Sequence, residues 1–143
     1  MPAQKQPSHI LAQNFAINCQ SKPSDVQHIS VVRLTLGLVS NIYNAEAAYI
    51  LGASRGRKKL STSRHVLHYL AHICFGVNYT ALAAYTNRDR TSIAHACERV
   101  EDMRDNPQMD KALYFAEYAL VSMAQHINPL LAAQDEQDKR IGL

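Results

Sequence analysis

No stretch of this chain approaches the ~18 consecutive apolar residues that a bilayer-crossing helix needs, so no membrane span is expected. Cysteine is scarce, and Cys19, Cys74 and Cys97 are odd in number and widely spaced. They suit buried thiols in a reducing cytoplasm better than a disulfide framework or a zinc site. Glycine is scarce too, and the Gly-x4-Gly-Lys-Ser/Thr spacing of a phosphate-binding loop occurs nowhere, so no nucleotide cofactor is expected. No segment alternates convincingly at period 2, which leaves an all-α chain. Internal repeats and low-complexity tracts are absent. The start, M-P-A-Q-K-Q-P-S-H, has one lysine and no apolar core and does not read as a secretory signal. With 143 residues, 47% of them hydrophobic, the chain is long enough for one domain with its own core.

Charge is what the chain has, unevenly spread. Residues 1–54 carry a net +1 and residues 91–143 a net −4, while residues 55–90 carry +6 from Arg55, Arg57, Lys58, Lys59, Arg64, Arg88 and Arg90 against Asp89. A basic centre beside an acidic end is the footprint expected of a polyanion partner, although a solvated surface gives the same pattern.

Residues 1–24 hold Pro2, Pro7 and Pro23 and read as an arm, with Ile10, Leu11, Phe15 and Ile17 able to dock. Ser24 or Asp25 caps a helix to about Tyr43, with Ile29, Val32, Leu36, Val39 and Tyr43 on one stripe. Asn44 breaks it, and Ala45 to Leu51 forms a short helix ending at Gly52. Ala53–Lys59 is a basic loop. Ser61, Thr62 or Ser63 then caps a helix from Arg64 to about Cys74, facing inward through Val66, Leu67, Leu70, Ala71 and Cys74. Tyr79–Tyr85 is a short helix, Thr86-Asn87 a turn, and Arg88 or Asp89 opens a longer helix ending near Asn106-Pro107. A last helix runs from Met109 to about Ile127, with Met109, Ala112, Leu113, Ala116, Leu120, Met123 and Ile127 inward and a polar, fraying tail from Gln134. The division expected is 1–24 arm, 25–107 domain, 108–133 C-terminal helix and 134–143 tail.

The run T-N-R-D-R-T-S-I-A-H-A-C-E-R-V, Thr86 to Val100, holds most of the chemistry. Ile93, Ala96, Cys97, Val100 and Met103 make one apolar stripe, and Arg90, Thr91, Ala94 and His95 lie together on a mostly polar face. A helix buried on one side and carrying donors at its N-terminal end has what major-groove reading requires. A short helix, a tight turn and a longer helix over 79–105 is helix-turn-helix order.

The core Arg88-Asp89-Arg90-Thr91-Ser92-Ile93-Ala94-His95-Ala96 resembles the signature of the C-terminal DNA-binding domain of DnaA, the bacterial replication initiator, which reads Arg-Asp-His-Thr-Thr-Val-x-His-Ala. The likeness extends to Arg64-His65-Val66-x-x-Tyr69-Leu70-Ala71, to the Arg57-Lys58 loop and to the helix ending at Tyr43, covering about 27–110. It implies an all-α, multi-helix orthogonal bundle with a helix-turn-helix of the DnaA/Trp-repressor type in the major groove. It also implies roles: Arg88 on a base or phosphate, Asp89 accepting from a cytosine amino group or holding neighbouring side chains, Thr91 on a thymine methyl, Ser92 on a phosphate and His95 on a base edge. Arg64 would be the minor-groove arginine, and Arg57 with Lys58 would contact the backbone. Guanidinium chemistry agrees, since arginine suits guanine bidentately and also suits narrow A·T minor grooves.

The chain departs from the pattern at Arg90, where the family has histidine, and at Thr86-Asn87, where it has Gly-Gly. No segment reads as the initiator's nucleotide-binding domain. The resemblance therefore implies a DNA reader without the ATPase: a regulator of transcription or a modulator of replication initiation, cytoplasmic and nucleoid-associated, binding double-stranded DNA without a cofactor. A protein-interaction module, using the basic loop and acidic C-terminal helix, is the alternative from another class.

Simpler readings stand beside these. Arg88–Thr91 is also ordinary helix-capping chemistry. His65, His68 and His72 form a stripe opposite the apolar face of their helix; lacking a carboxylate or cysteine on that face, they read as solvated or phosphate-facing rather than as a metal site. No nucleophile elbow or Asp-His-Ser order stands out, and the acids of the last third read as helix surface, so an enzyme is not expected. On the last helix Tyr114, Phe115, Tyr118 and Val121 lie outside the inner stripe. They suit either a wide core contact with the arm or a homodimer face.

Overall fold

The structure, a computed structural model, describes residues 25–52 and 58–142. The expected arm of residues 1–24, and Arg57 in the basic loop, lie outside them. Among the described residues the fold is all-α, a multi-helix bundle without strands. Its helices are α1 (Asp25–Tyr43), α2 (Ala47–Leu51), α3 (Lys58–Phe75), α4 (Tyr79–Thr86), α5 (Arg90–Met103) and α6 (Pro107–Ile141). None is long and apolar enough to cross a membrane.

Helix α3 is the axis of the bundle, packed by α1, α2, α5 and α6. From Ser63 to Ala71 every side chain is buried except His65, which is half-buried. With four helices packed on it, this stretch has no exposed side chain, which overturns the expectation of a solvated histidine stripe at His68 and leaves His65 and His72 half-buried. His68 is only 5% exposed and shares a 3.2 Å hydrogen bond with the Thr86 hydroxyl, while His72 Nδ1 lies 2.9 Å from the Val77 carbonyl. The helix also begins six residues before Arg64. Its hydroxyls do not cap it: Thr62 donates back to the Lys58 carbonyl (2.9 Å) and Ser63 to that of Leu60 (2.7 Å), bonds made inside a helix already under way.

The turns obey local chemistry. Asn44 ends α1 and Asn87 ends α4, both with positive φ (48° and 52°), a region Asn tolerates better than most side chains. Gly76, at φ 65°, closes α3. Asn78 caps α4 by accepting from the Ala81 amide at 2.8 Å. Asn106 does the same for α6 through the Gln108 amide at 2.9 Å, with Pro107 in the first helical position where its missing N–H costs nothing.

Helix α6 is longer than its inward stripe suggests. Leu113, Ala116, Glu117, Leu120, Val121 and Ala124 are buried and Met109 and Met123 half-buried, whereas Ala112 faces out; the Ile127 side chain is not among those described. The helix continues through Pro129 and the sequence expected to fray, ending at Ile141. At about 1.5 Å per residue its 35 residues span about 50 Å.

The acids of the last third are not all surface. Glu117 is 1% exposed and pairs with Arg104, itself buried at the end of α5. Arg104 Nε also donates to Asp110 (2.6 Å) and its Nη1 to the Tyr69 hydroxyl (2.9 Å), which in turn donates to Glu101 (2.9 Å). The cluster ties α3, α5 and α6 together. Carboxylate partners push the Arg104 pKa above its ordinary value despite burial, and burial pushes the Tyr69 hydroxyl and the Glu117 carboxyl up.

Candidate functional site

Helix α5 divides as its pattern predicts. Ile93, Ala96, Cys97 and Val100 are buried and Met103 half-buried, while Arg90, Thr91, Ser92 and His95 are exposed and Ala94 half-buried. Asp89 is the N-cap by backbone conformation (φ −70°, ψ 140°), yet its side chain makes no capping hydrogen bond. Its carboxylate is exposed beside Arg90, so capping chemistry does not account for this cluster. The positive end of the helix dipole lies under the same residues.

Charge changes sign along the exposed face. Arg90 stands beside Asp89 at the N-terminal end, whereas in the C-terminal half the exposed Glu98, Glu101 and Asp102 outnumber the exposed Arg99. His95 Nδ1 lies 3.6 Å from a Glu98 carboxylate oxygen at the boundary between the two. A polyanion meeting this helix finds donors at one end and carboxylates at the other.

Two expected contact residues sit elsewhere. Arg64 is buried, its Nε donating to the Ile50 carbonyl at 2.6 Å and its Nη2 reaching the Tyr49 carbonyl at 3.4 Å. A guanidinium committed to the C-terminal end of α2 does not stand on the surface as a minor-groove arm, which corrects the expectation carried by the resemblance. Arg88 is half-buried and donates through Nη2 to the Gly52 carbonyl, on that same end of α2. Burial first, and the neighbouring Arg88 charge second, lower the Arg64 pKa from its ordinary value. Lys58 and Lys59 are exposed at the first turn of α3, with Lys59 Nζ 3.5 Å from the Asn44 carbonyl.

The structure therefore keeps Asp89, Arg90, Thr91, Ser92 and His95 on one exposed helix end, leaves Lys58 exposed and withdraws Arg64 and most of Arg88 into the fold. Sequence reasoning missed the acidic half of α5 as a boundary, although Glu98, Glu101 and Asp102 at helical spacing carry the signal. Among the described residues no three His, Cys, Asp or Glu side chains converge to hold a metal ion. A cleft of about 270 Å³ between α3, α4 and α5 is lined by Tyr69, His72, Tyr79 and Cys97. Burial raises the Cys97 thiol to about 11 and leaves it unreactive at neutral pH. No protein-family model matches the chain, and no solved structure matches it.

Proposed function

We propose that this chain binds double-stranded DNA sequence-specifically, with α4, the Asn87–Asp89 turn and α5 as a helix-turn-helix related to that of the DnaA C-terminal domain. The observation that carries the reading is the α5 face, where Arg90, Thr91, Ser92 and His95 cluster toward the N-terminal end beside Asp89, carboxylates outnumber Arg99 in the C-terminal half and the reverse side is buried. Such a helix enters a major groove end-on, its first two turns at the base edges and its acids held away from the phosphates. Asp89, Arg90, Thr91 and His95 are the base-reading set, Ser92 a phosphate contact, and Lys58 with Lys59 the backbone cations. Arg90, where the initiator family carries histidine, sets a preference of its own. The role that follows is regulation of transcription or modulation of replication initiation.

The test is selection of bound duplexes from a random pool, with affinity then measured at rising salt. Binding should weaken linearly on a log–log plot against salt, as the gain from releasing phosphate counterions shrinks. Arg90→Ala should cost about 1–3 kcal/mol on the selected site and flatten preference at one position, whereas Lys58→Ala should weaken all duplexes alike and lower the salt slope by about one. Absence of binding at low salt overturns the proposal.

A second reading is favoured by α6, on which Phe115 and Tyr118 are 57% and 56% exposed, three residues apart. Large apolar rings on one helix face suit contact between copies, and a two-fold assembly suits a two-fold DNA site. If α6 mediates a dimer, Phe115→Ser with Tyr118→Ser should return the protein to monomer in sedimentation velocity at micromolar concentration. A wild type that is monomeric at all concentrations removes this reading.

A further inference from the structure

The C-terminal end of α2 is held by two arginines from distant parts of the chain. Arg64 comes from the second turn of α3 and takes the Ile50 and Tyr49 carbonyls; Arg88 comes from the turn that opens α5 and takes the Gly52 carbonyl. The last carbonyls of a helix lack i+4 amide partners within it; the Tyr49 carbonyl here also accepts from the Gly52 amide at 3.3 Å, and the guanidinium groups add charge-assisted bonds favoured by the helix dipole. A five-residue helix cannot hold its place by its own cooperativity, so these contacts fix it. Ile50 is its one buried residue and its core anchor.

This arrangement has a topological consequence. Arg88 is two residues from Arg90. Arg64, one turn beyond Lys58 and Lys59 on α3, grips the same end of α2, so that end links the entry of α5 to the start of α3. We propose that Arg88 is a positioning residue, which with Arg64 fixes α2 and so sets where the Lys58 and Lys59 cations stand relative to the reading end of α5. This rests on the DNA-binding reading and replaces the direct base contact that the resemblance implies for Arg88. Its side chain is already committed inward, and a base contact would require giving up the Gly52 carbonyl.

The test couples two measurements. In the DNA-free protein, Arg88→Ala should speed hydrogen exchange of the Ile50 and Gly52 amides about tenfold, as loss of one charge-assisted hydrogen bond implies, and Arg88→Lys should restore much of the protection. On DNA, Arg88→Ala should weaken every duplex about tenfold without changing the selected sequence. Combined with Lys58→Ala and Lys59→Ala it should add little further loss, because the cations it positions are gone. Full additivity, or an altered base preference, shows that Arg88 itself touches DNA and overturns the proposal. Unchanged exchange in α2 also overturns it, as does faster exchange with unchanged affinity. If the wild type binds no duplex, the DNA reading falls by that result alone, and the exchange measurement still reports whether the latch exists. Should Arg88→Ala fail to fold, Arg88→Gln, which keeps a neutral donor, carries the same comparisons.

Discussion

Replacing Arg104 with methionine is expected to cost about 3–5 kcal/mol of stability, the penalty typical of removing one partner from a buried ion pair. For a domain of this size that is a fall of roughly 10–20 °C in Tm. The side chain is 6% exposed and Glu117 is 1% exposed, so the orphaned carboxylate cannot recover its hydration. One Glu117 oxygen, Oε2, already lacks a partner among the described residues, which leaves Arg104 as its main compensation. Asp110 and Glu101 are less enclosed and can turn to water. Removing both ends of the buried pair should therefore be far milder than removing one. Arg104→Met combined with Glu117→Leu is expected to recover most of the lost stability, since the desolvation cost disappears with the charges. Urea unfolding of the two single variants and the double variant closes the cycle. If Arg104→Met loses less than about 1 kcal/mol, the pair is solvated in solution and the argument from burial fails.

The contrast between α5 and the Arg104 cluster shows what periodicity can and cannot disclose. On α5 the spacing of Ile93, Ala96, Cys97 and Val100 matches the buried face, because one apolar stripe against one core is a local property written at 3.6 residues per turn. The partners of Arg104 lie 6, 13 and 35 residues away. The residue type of Glu117 alone reads as a solvated acid. The signal is its place between Ala116 and Leu120, in the i, i+3, i+4 row that also buries Leu113 and Ala124.

The same limit explains the two arginines of the resemblance. The resemblance implies a minor-groove role for Arg64, yet its placement depends on where α2 ends, and α2 contributes only the short string A-A-Y-I-L. His68 departs from its expected solvated place for a related reason. An amphipathic reading assigns every helix a wet face, and α3 has none between Ser63 and Ala71 because helices pack around it. Polar side chains on a central helix find carbonyls and hydroxyls instead of water, and those partners come from the tertiary structure. The exposed end of α5 is legible because its side chains stand in solvent rather than against distant parts of the chain, so their placement follows composition and period.

His68 is the group through which acid should first loosen this fold. The Thr86 hydroxyl donates to the Leu82 carbonyl at 2.6 Å, so its oxygen is left to accept from His68 Nε2 at 3.2 Å. That places the ring proton on Nε2 and leaves Nδ1 as a bare acceptor, buried and without a partner among the described residues. Protonating Nδ1 would create a buried donor with nothing to meet, in a site that also feels Arg88, His65 and Arg64. Burial first, and those charges after it, lower the pKa to about 4, against about 6.5 in the unfolded chain. Because the folded state binds the proton less readily, the contribution is fully present above pH 6.5 and is lost as pH falls toward 4. At 1.36 kcal/mol per pH unit, the loss amounts to about 3 kcal/mol. His65, also lowered by burial and by Arg99, adds in the same direction. The expected result is a wild-type stability that drops steeply between pH 6.5 and 4 in urea titrations, with much of that slope absent in His68→Phe. Phenylalanine leaves Thr86 its bond to Leu82 and introduces no charge. If both proteins lose stability in parallel, or if the His68 ring titrates near 6.5 by NMR, the imidazole is hydrated and its link to the last turn of α4 is not the acid-sensitive joint.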